Sequence, residues 1–300
     1  MNIGFIGTGT MGQPMLANLL KKSFTVLAYD AAPPALAAAV KLGATGAASV
    51  AEVARRCDLL ITMLPSSTNV ESVYLGAGGV RESVGAGRLC VDMSTIDPGV
   101  SRRVAAALAE RQVRFLDAPV SGGVPGATDG TLAIMVGGEA RDLEEARSVL
   151  AAMGANIIHV GAVGSGEAAK ICNNLIAGVA AVAVSEAFRI AEGFGVDPAV
   201  LTQVISKSSG NTWVMQQAHP VPGLVPRAAS SRDYAPGFMT DLMAKDLGLA
   251  VNAARELRVP VVVAAAAQQV LRLASSHGLG RKDFTAVYTF LKPSSDQAPV

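Results

Sequence analysis

The chain has 300 residues, 50% of them hydrophobic, with 31 glycines and a near balance of 25 Lys plus Arg against 24 Asp plus Glu. With no basic tract it has no field to gather nucleic acid or an acidic membrane, so the expected partner is a small molecule, with no nucleic-acid and no membrane partner. The length calls for two domains, and Cys57, Cys90 and Cys172, odd in number and far apart, read as buried thiols in a reducing compartment rather than a disulfide scaffold.

An apolar strand begins within two residues of Met1, leaving no room for a signal or transit segment, and a cytoplasmic location is expected. NIGFIG (2–7), FTVLAYD (24–30), LLITMLP (59–65), RLCVDMS (88–94) and VRFLDAP (113–119) are short apolar runs separated by helix-like intervals. That alternation predicts an α/β fold with a parallel, doubly wound sheet. TLAIMVGG (131–138) and NIIHVG (156–161) extend the sheet, with RDLEEARSVLAAMG (141–154) as the amphipathic helix between them. From 166 onward only helical patterns appear, so the domains are placed at 1–162 and 163–300, the second all-helical and opening on a long interdomain helix. A short polar tail occupies 294–300. His159, His219 and His277 show no ligand spacing, and no metal is expected.

GTGTMG (7–12) follows the first strand and opens a helix, matching G-x-G-x-x-G at Gly7, Gly9 and Gly12, with Thr8, Thr10 and Met11 between them. Such glycines permit a tight turn and let the backbone approach a pyrophosphate, which the helix N-terminus favours. Asp30, ending the second strand, is placed to accept hydrogen bonds from ribose hydroxyls. A carboxylate there repels the extra phosphate of NADP, and no Arg stands at 31 or 32, so NAD is the expected cofactor. Met11 and Met15 also read as packing residues.

GEAAKICNN (166–174) puts Lys170, Asn173 and Asn174 on one helical face, in a helix that is apolar nearly all round as far as Glu186 and therefore reads as enclosed. Its apolar part, 175–184, is short for a membrane span. SGG (121–123) follows a strand; it is a flexible turn by itself, and beside a nicotinamide the Ser121 hydroxyl with the Gly122 and Gly123 amides is suited to wrapping a carboxylate.

GFIGTGTMGQPMLANLLKK, DMSTIDP (92–98), DAPVSGGVPGATDGTLAIMVGG (117–138), GSGEAAKICNN (164–174) and MAKDLGLA (243–250) resemble, in this order and over nearly the whole chain, the motif blocks of the β-hydroxyacid dehydrogenases. The resemblance implies an N-terminal Rossmann domain, an all-helical C-terminal domain and a hydride-transfer enzyme. It implies that Lys170 is the acid/base, its pKa lowered by enclosure and neighbouring positive charge, and that Ser121, Gly122, Gly123 and Asn174 hold the substrate. Asn173 is left to a structural role. Leu64, Pro65, Asn69, Thr95 and Lys245 match positions that contact the cofactor, and Asp246 is expected to fix Lys245.

The two anchors, carboxylate and hydroxyl, fit a three-carbon hydroxy acid. Trp213 and Phe238 would favour a methyl on its middle carbon, although core packing accounts for both rings equally well. A hydroxyl at that carbon, as for a tartronate semialdehyde reductase of the same family, is the alternative. A non-catalytic nucleotide-sensing module would have lost Lys170, SGG or KDL, and all three stand. Excess apolar helix surface predicts a homodimer or homotetramer.

Overall fold

The computed structural model describes residues 1–292, so the polar tail at 294–300 lies outside the described residues. Two compact units meet within one helix, at Lys170 and Ile171. In the first, β1 (Asn2–Ile6), β2 (Thr25–Tyr29), β3 (Thr45–Gly46), β4 (Leu59–Thr62), β5 (Leu89–Asp92), β6 (Arg114–Asp117), β7 (Val120–Ser121), β8 (Leu132–Gly137) and β9 (Gly154–Gly161) form a single sheet. Its order is β3-β2-β1-β4-β5-β6-β8-β7, with β9 on β8. Between the strands lie α1 (Gly12–Lys21), α2 (Pro33–Lys41), α3 (Val50–Arg56), α4 (Ser67–Leu75), α5 (Val80–Ser83), α6 (Pro98–Ala109), α7 (Gly123–Asp129) and α8 (Ala140–Leu150).

Strand residues alternate between two cores, as period-two side chains must when both faces of a sheet are covered. Ile3, Phe5, Leu59, Ile61, Leu89 and Val91 pack in one; Ile6, Leu60 and Cys90 pack in the other. The first six strands are parallel, as expected, but β8 runs antiparallel to β6 and β7. Between Ser121 and Leu132 the chain holds only the seven-residue α7, too little for a crossover, so it reverses.

One register row crosses the parallel strands through Tyr29, Ile6, Thr62, Asp92 and Asp117. The loops that follow these residues therefore leave the same carboxyl edge of the sheet, where open α/β sheets bind ligands.

The long helix α9 (Ser165–Gly193) carries the chain into the second unit. The units divide later than the change of pattern at 162, because the first turn of α9 is hydrogen-bonded to the sheet domain. The second unit continues with α10 (Pro198–Ser206), α11 (Trp213–Gln217), α12 (Thr240–Glu256), α13 (Val262–Ala274) and α14 (Val287–Phe290). Ala181, Val182, Val184 and Phe188 of α9 join Met243 and Leu247 of α12 in its core, and a Cβ on Gly178 would stand 2.5 Å from Leu247 Cδ1. A larger residue there requires the Leu247 side chain to shift.

The expectation that α9 is enclosed on all sides does not hold. Cys172, Asn173, Ile176, Ala183, Ala187 and Ile190 form an exposed stripe, with Ile176 69% exposed. Apolar composition gives a helix no polar face to turn outward, so one apolar face is left open once the opposite face meets α12. By length and composition α9 is long and apolar enough to cross a membrane, which the 175–184 run was not; here its buried face forms part of a helical core. Of the three thiols, Cys57 and Cys90 are buried and Cys172 is exposed, correcting the reading of all three as buried.

Candidate active site

The three glycines of the 7–12 loop have three different reasons to be glycine. Gly7 has φ +95°, and a Cβ on it would lie 2.2 Å from the Met63 carbonyl oxygen; one on Gly12 would lie 1.9 Å from that of Gly7. Both are fixed by the fold. At Gly9 a Cβ would meet no protein atom within 4 Å, so what the position keeps clear is space outside the chain, as a pyrophosphate cradle needs. Thr8 is buried, Gly9 and Thr10 are exposed, and Met11 packs on the core beside Met15.

Asp30 is already engaged with this loop. Its Oδ2 accepts the Thr8 amide at 2.7 Å and the Thr8 hydroxyl at 3.4 Å, and its Oδ1 accepts the Ala32 amide at 2.8 Å. It thus holds the glycine turn to β2. Each carboxylate oxygen keeps further acceptor capacity for ribose hydroxyls.

After β4 and β5 the edge is organised by a buried acid that sequence reading passed over. Asp92 Oδ1 accepts the Thr62 hydroxyl at 2.7 Å and the Ser94 hydroxyl at 2.6 Å, and Ser94 Oγ accepts the Leu64 amide at 2.8 Å. Through Ser94, Asp92 fixes the start of the Leu64–Pro65 loop. Burial pushes its carboxyl up to about 6, against the hydrogen bonds from Ser94 and Thr62, and its Oδ2 is buried without a hydrogen-bond partner among the described residues. Asn69 accepts the Ser66 hydroxyl at 2.6 Å on the first turn of α4, and Ser67 Oγ accepts the Asp97 amide at 3.1 Å. Thr95 is half-buried between Ser94 and Ile96.

Ser121 ends β7, and Gly122 and Gly123 follow with φ +134° and +60°, so two consecutive residues turn through the left-handed region that disfavours side chains. Gly122 is exposed, and the loop follows β7, which continues beyond the β6 end of the register row. Asp117, the second acid passed over, accepts the amides of Gly164 at 2.7 Å and Glu167 at 3.0 Å, capping the entry to α9; burial raises its pKa against those same amides. A Cβ on Gly166 would stand 2.3 Å from the Met135 carbonyl oxygen, so GSGE is the sequence that lets α9 start against β8. Lys170 follows Glu167 by three residues and is 6% exposed.

In the helical unit, Asn174 Nδ2 donates to Asp246 Oδ2 at 2.5 Å, and Lys245 Nζ lies 3.1 Å from Asp246 Oδ1. Asp246 joins the predicted substrate amide to the predicted cofactor lysine. Phe238 packs in the helical core and meets Phe284 edge-on, while Trp213 is 59% exposed. His219 is buried, with Nδ1 accepting the Val221 amide, and burial lowers its pKa; it serves the helical core. Among the described residues no group of three or more His, Cys, Asp or Glu is placed to hold a metal.

A glycine loop, an acid ending the second strand and a buried lysine, set on a doubly wound sheet followed by a helical unit, fit a dinucleotide-dependent oxidoreductase. Residues 2–161 match the family model described as the NAD binding domain of 6-phosphogluconate dehydrogenase, and 164–291 that of the NAD-binding of NADP-dependent 3-hydroxyisobutyrate dehydrogenase. The chain is 42% identical over 290 residues to the mitochondrial 3-hydroxyisobutyrate dehydrogenase of Rattus norvegicus, covering 97% of this chain and 87% of that one. It is 40% identical over 295 residues to an NAD-dependent L-serine dehydrogenase of Pseudomonas aeruginosa, covering 98% and 99%. A solved structure of Mycobacterium tuberculosis 3-hydroxyisobutyrate dehydrogenase with L-serine superposes with a TM-score of 0.92 at 39% identity, covering 97% of this chain and 99% of that one.

The chain belongs to the β-hydroxyacid dehydrogenase family. It is an oxidoreductase, and its cofactor is NAD.

Proposed function

We propose that the protein oxidises 3-hydroxyisobutyrate to methylmalonate semialdehyde, as in valine breakdown. What carries this reading is the 42% identity to a 3-hydroxyisobutyrate dehydrogenase over 97% of the chain, together with a buried lysine and a Gly122–Gly123 turn in the positive-φ region. Ser121, Gly122 and Gly123 receive the substrate carboxylate, and Asn174 orients the substrate hydroxyl. Lys170, as the neutral amine, takes the hydroxyl proton while the carbinol hydrogen leaves with its electron pair. NAD, when bound, supplies the hydride acceptor, held by Gly7, Thr8, Gly9, Thr10, Met11, Gly12, Asp30, Leu64, Pro65, Asn69, Thr95 and Lys245. Preference for NAD over NADP rests on Asp30 beside Ala31 and Ala32.

A second reading, oxidation of L-serine, is favoured by the 40% identity to an L-serine dehydrogenase along the full length of both chains. The two substrates differ on the middle carbon, methyl against ammonium. The 3-hydroxyisobutyrate reading is supported where Trp213 or Phe238 meets that carbon, since an apolar ring favours the methyl. A panel of 3-hydroxyisobutyrate, 3-hydroxypropionate, L-serine, D-glycerate and 4-hydroxybutyrate, compared by kcat/KM with NAD, decides. Leadership by 3-hydroxyisobutyrate supports the first reading, and leadership by L-serine replaces it with the second.

The working form is read as a homodimer or homotetramer in the cytoplasm. Exposed Ile176, Ile190, Phe194, Val200 and Val204 on and after α9 support a second copy as their cover, and three free cysteines support a reducing compartment. Light scattering at micromolar concentration tests the assembly, and a monomer would remove it.

A further inference from the structure

We propose that Glu167 is a positioning residue that locks the loop bearing Thr95 to the helix bearing Lys170. The inference rests on the proposed roles of those two residues and names a third that sets their spacing. Glu167 is fully buried, and its Oε2 accepts the Ile96 amide at 3.1 Å. Its own amide donates to Asp117 Oδ2 at 3.0 Å. Backbone and side chain of one residue are thus tied to two different strand ends, the loop after β5 and the last residue of β6.

The loop is held on both sides of Thr95. Ser94, before it, hydrogen-bonds to Asp92 at 2.6 Å; Ile96, after it, hydrogen-bonds to Glu167; Asp97 donates to Ser67 at 3.1 Å. On the helix, Lys170 lies three residues beyond Glu167, a rise of about 4.5 Å and nearly one turn, so the lysine starts from a backbone that cannot slide against the loop. Gly166 adds a steric stop, because its Cβ position falls 2.3 Å from the Met135 carbonyl oxygen. A carboxylate in the first turn of a helix is also favoured by the helix dipole, which helps Glu167 tolerate burial.

Hydride and proton leave adjacent atoms of one substrate, so the nicotinamide loop and the lysine must keep one spacing. A displacement near 1 Å costs such a reaction on the order of 100-fold. The test compares Glu167→Met, which fills the volume without an acceptor, with Glu167→Gln, which keeps an acceptor for the Ile96 amide. Steady-state kinetics, NAD titration and Lys170→Ala are run in parallel. We expect Glu167→Met to lower kcat by about 10- to 100-fold while the KM for the hydroxy acid changes less than about threefold, and Glu167→Gln to recover most of the loss.

Equal kcat in the Met and Gln variants would overturn the proposal. If the Met variant does not fold, Glu167→Asp replaces it: the shorter acid keeps the charge and loses the reach to Ile96. An Asp variant as active as the Gln variant also overturns the proposal, and an impaired one supports it. Turnover by Lys170→Ala would instead remove the proposed role of the lysine. An inactive Lys170→Ala beside unaffected Glu167 variants would remove only this inference.

Discussion

Replacing Asp92 by Asn should abolish a pH dependence of stability built into the sheet edge. Asp92 is fully buried, and its carboxyl is pushed from an ordinary 3.8 to about 6 by loss of hydration. Because the folded state holds this proton more tightly than the unfolded chain, the stabilisation is complete below pH about 4 and is lost as pH rises through about 6. At about 1.4 kcal/mol per pH unit, ionised Asp92 costs the fold roughly 3 kcal/mol at neutral pH. Asn keeps an acceptor for Thr62 and Ser94 and does not titrate. The stability of Asp92→Asn minus that of the parent should therefore rise by roughly 3 kcal/mol between pH 4 and pH 7, or roughly 6–12 °C in melting temperature for a unit of this size. Thermal unfolding of both proteins across that range reads the difference, from which the other carboxylates cancel. A difference that stays within about 1 kcal/mol would refute the reasoning.

Gly9→Ala should leave the melting temperature within about 2 °C and weaken NAD binding at least tenfold by titration, because its Cβ meets no protein atom, whereas Gly12→Ala should destabilise the fold by several kcal/mol. Equal losses of stability in the two variants would contradict the separate roles given to these glycines. Asp30→Ser with Ala31→Arg should move kcat/KM toward NADP and also lower overall efficiency, since Asp30 holds the Thr8 amide. An unaltered protein that already prefers NADP would show Asp30 misassigned.

Much of the fold is legible in local pattern: the alternation from Asn2 to Asp117 requires parallel strands, and Gly7, Gly9, Gly12 and Asp30 lie close enough in sequence to be recognised as one device. Asp92, Asp117 and Glu167 were not legible as a group. Each is a single acid in or beside an apolar run, and only the register row that aligns β5 with β6, together with the start of α9 against β8, brings them to one edge. The signal was present in DMSTIDP, DAPVSGG and GSGEAAK as an acid where burial disfavours one. The reversal of β8 and the exposed stripe of α9 were equally hidden, because which face a helix or strand buries is settled by its partners and not by its own composition. Asn174 is a substrate ligand only by the family resemblance; its tie to Asp246 depends on a contact 72 positions away in sequence.

The central claim is that Lys170 moves the proton. Its most direct measurement is kcat for 3-hydroxyisobutyrate oxidation by Lys170→Ala, with NAD binding titrated on the same preparation. The expected result is a fall in kcat of roughly 10²- to 10⁴-fold, with NAD affinity within about threefold of the parent. A variant that keeps more than about a tenth of the parent kcat while binding NAD normally would contradict the claim.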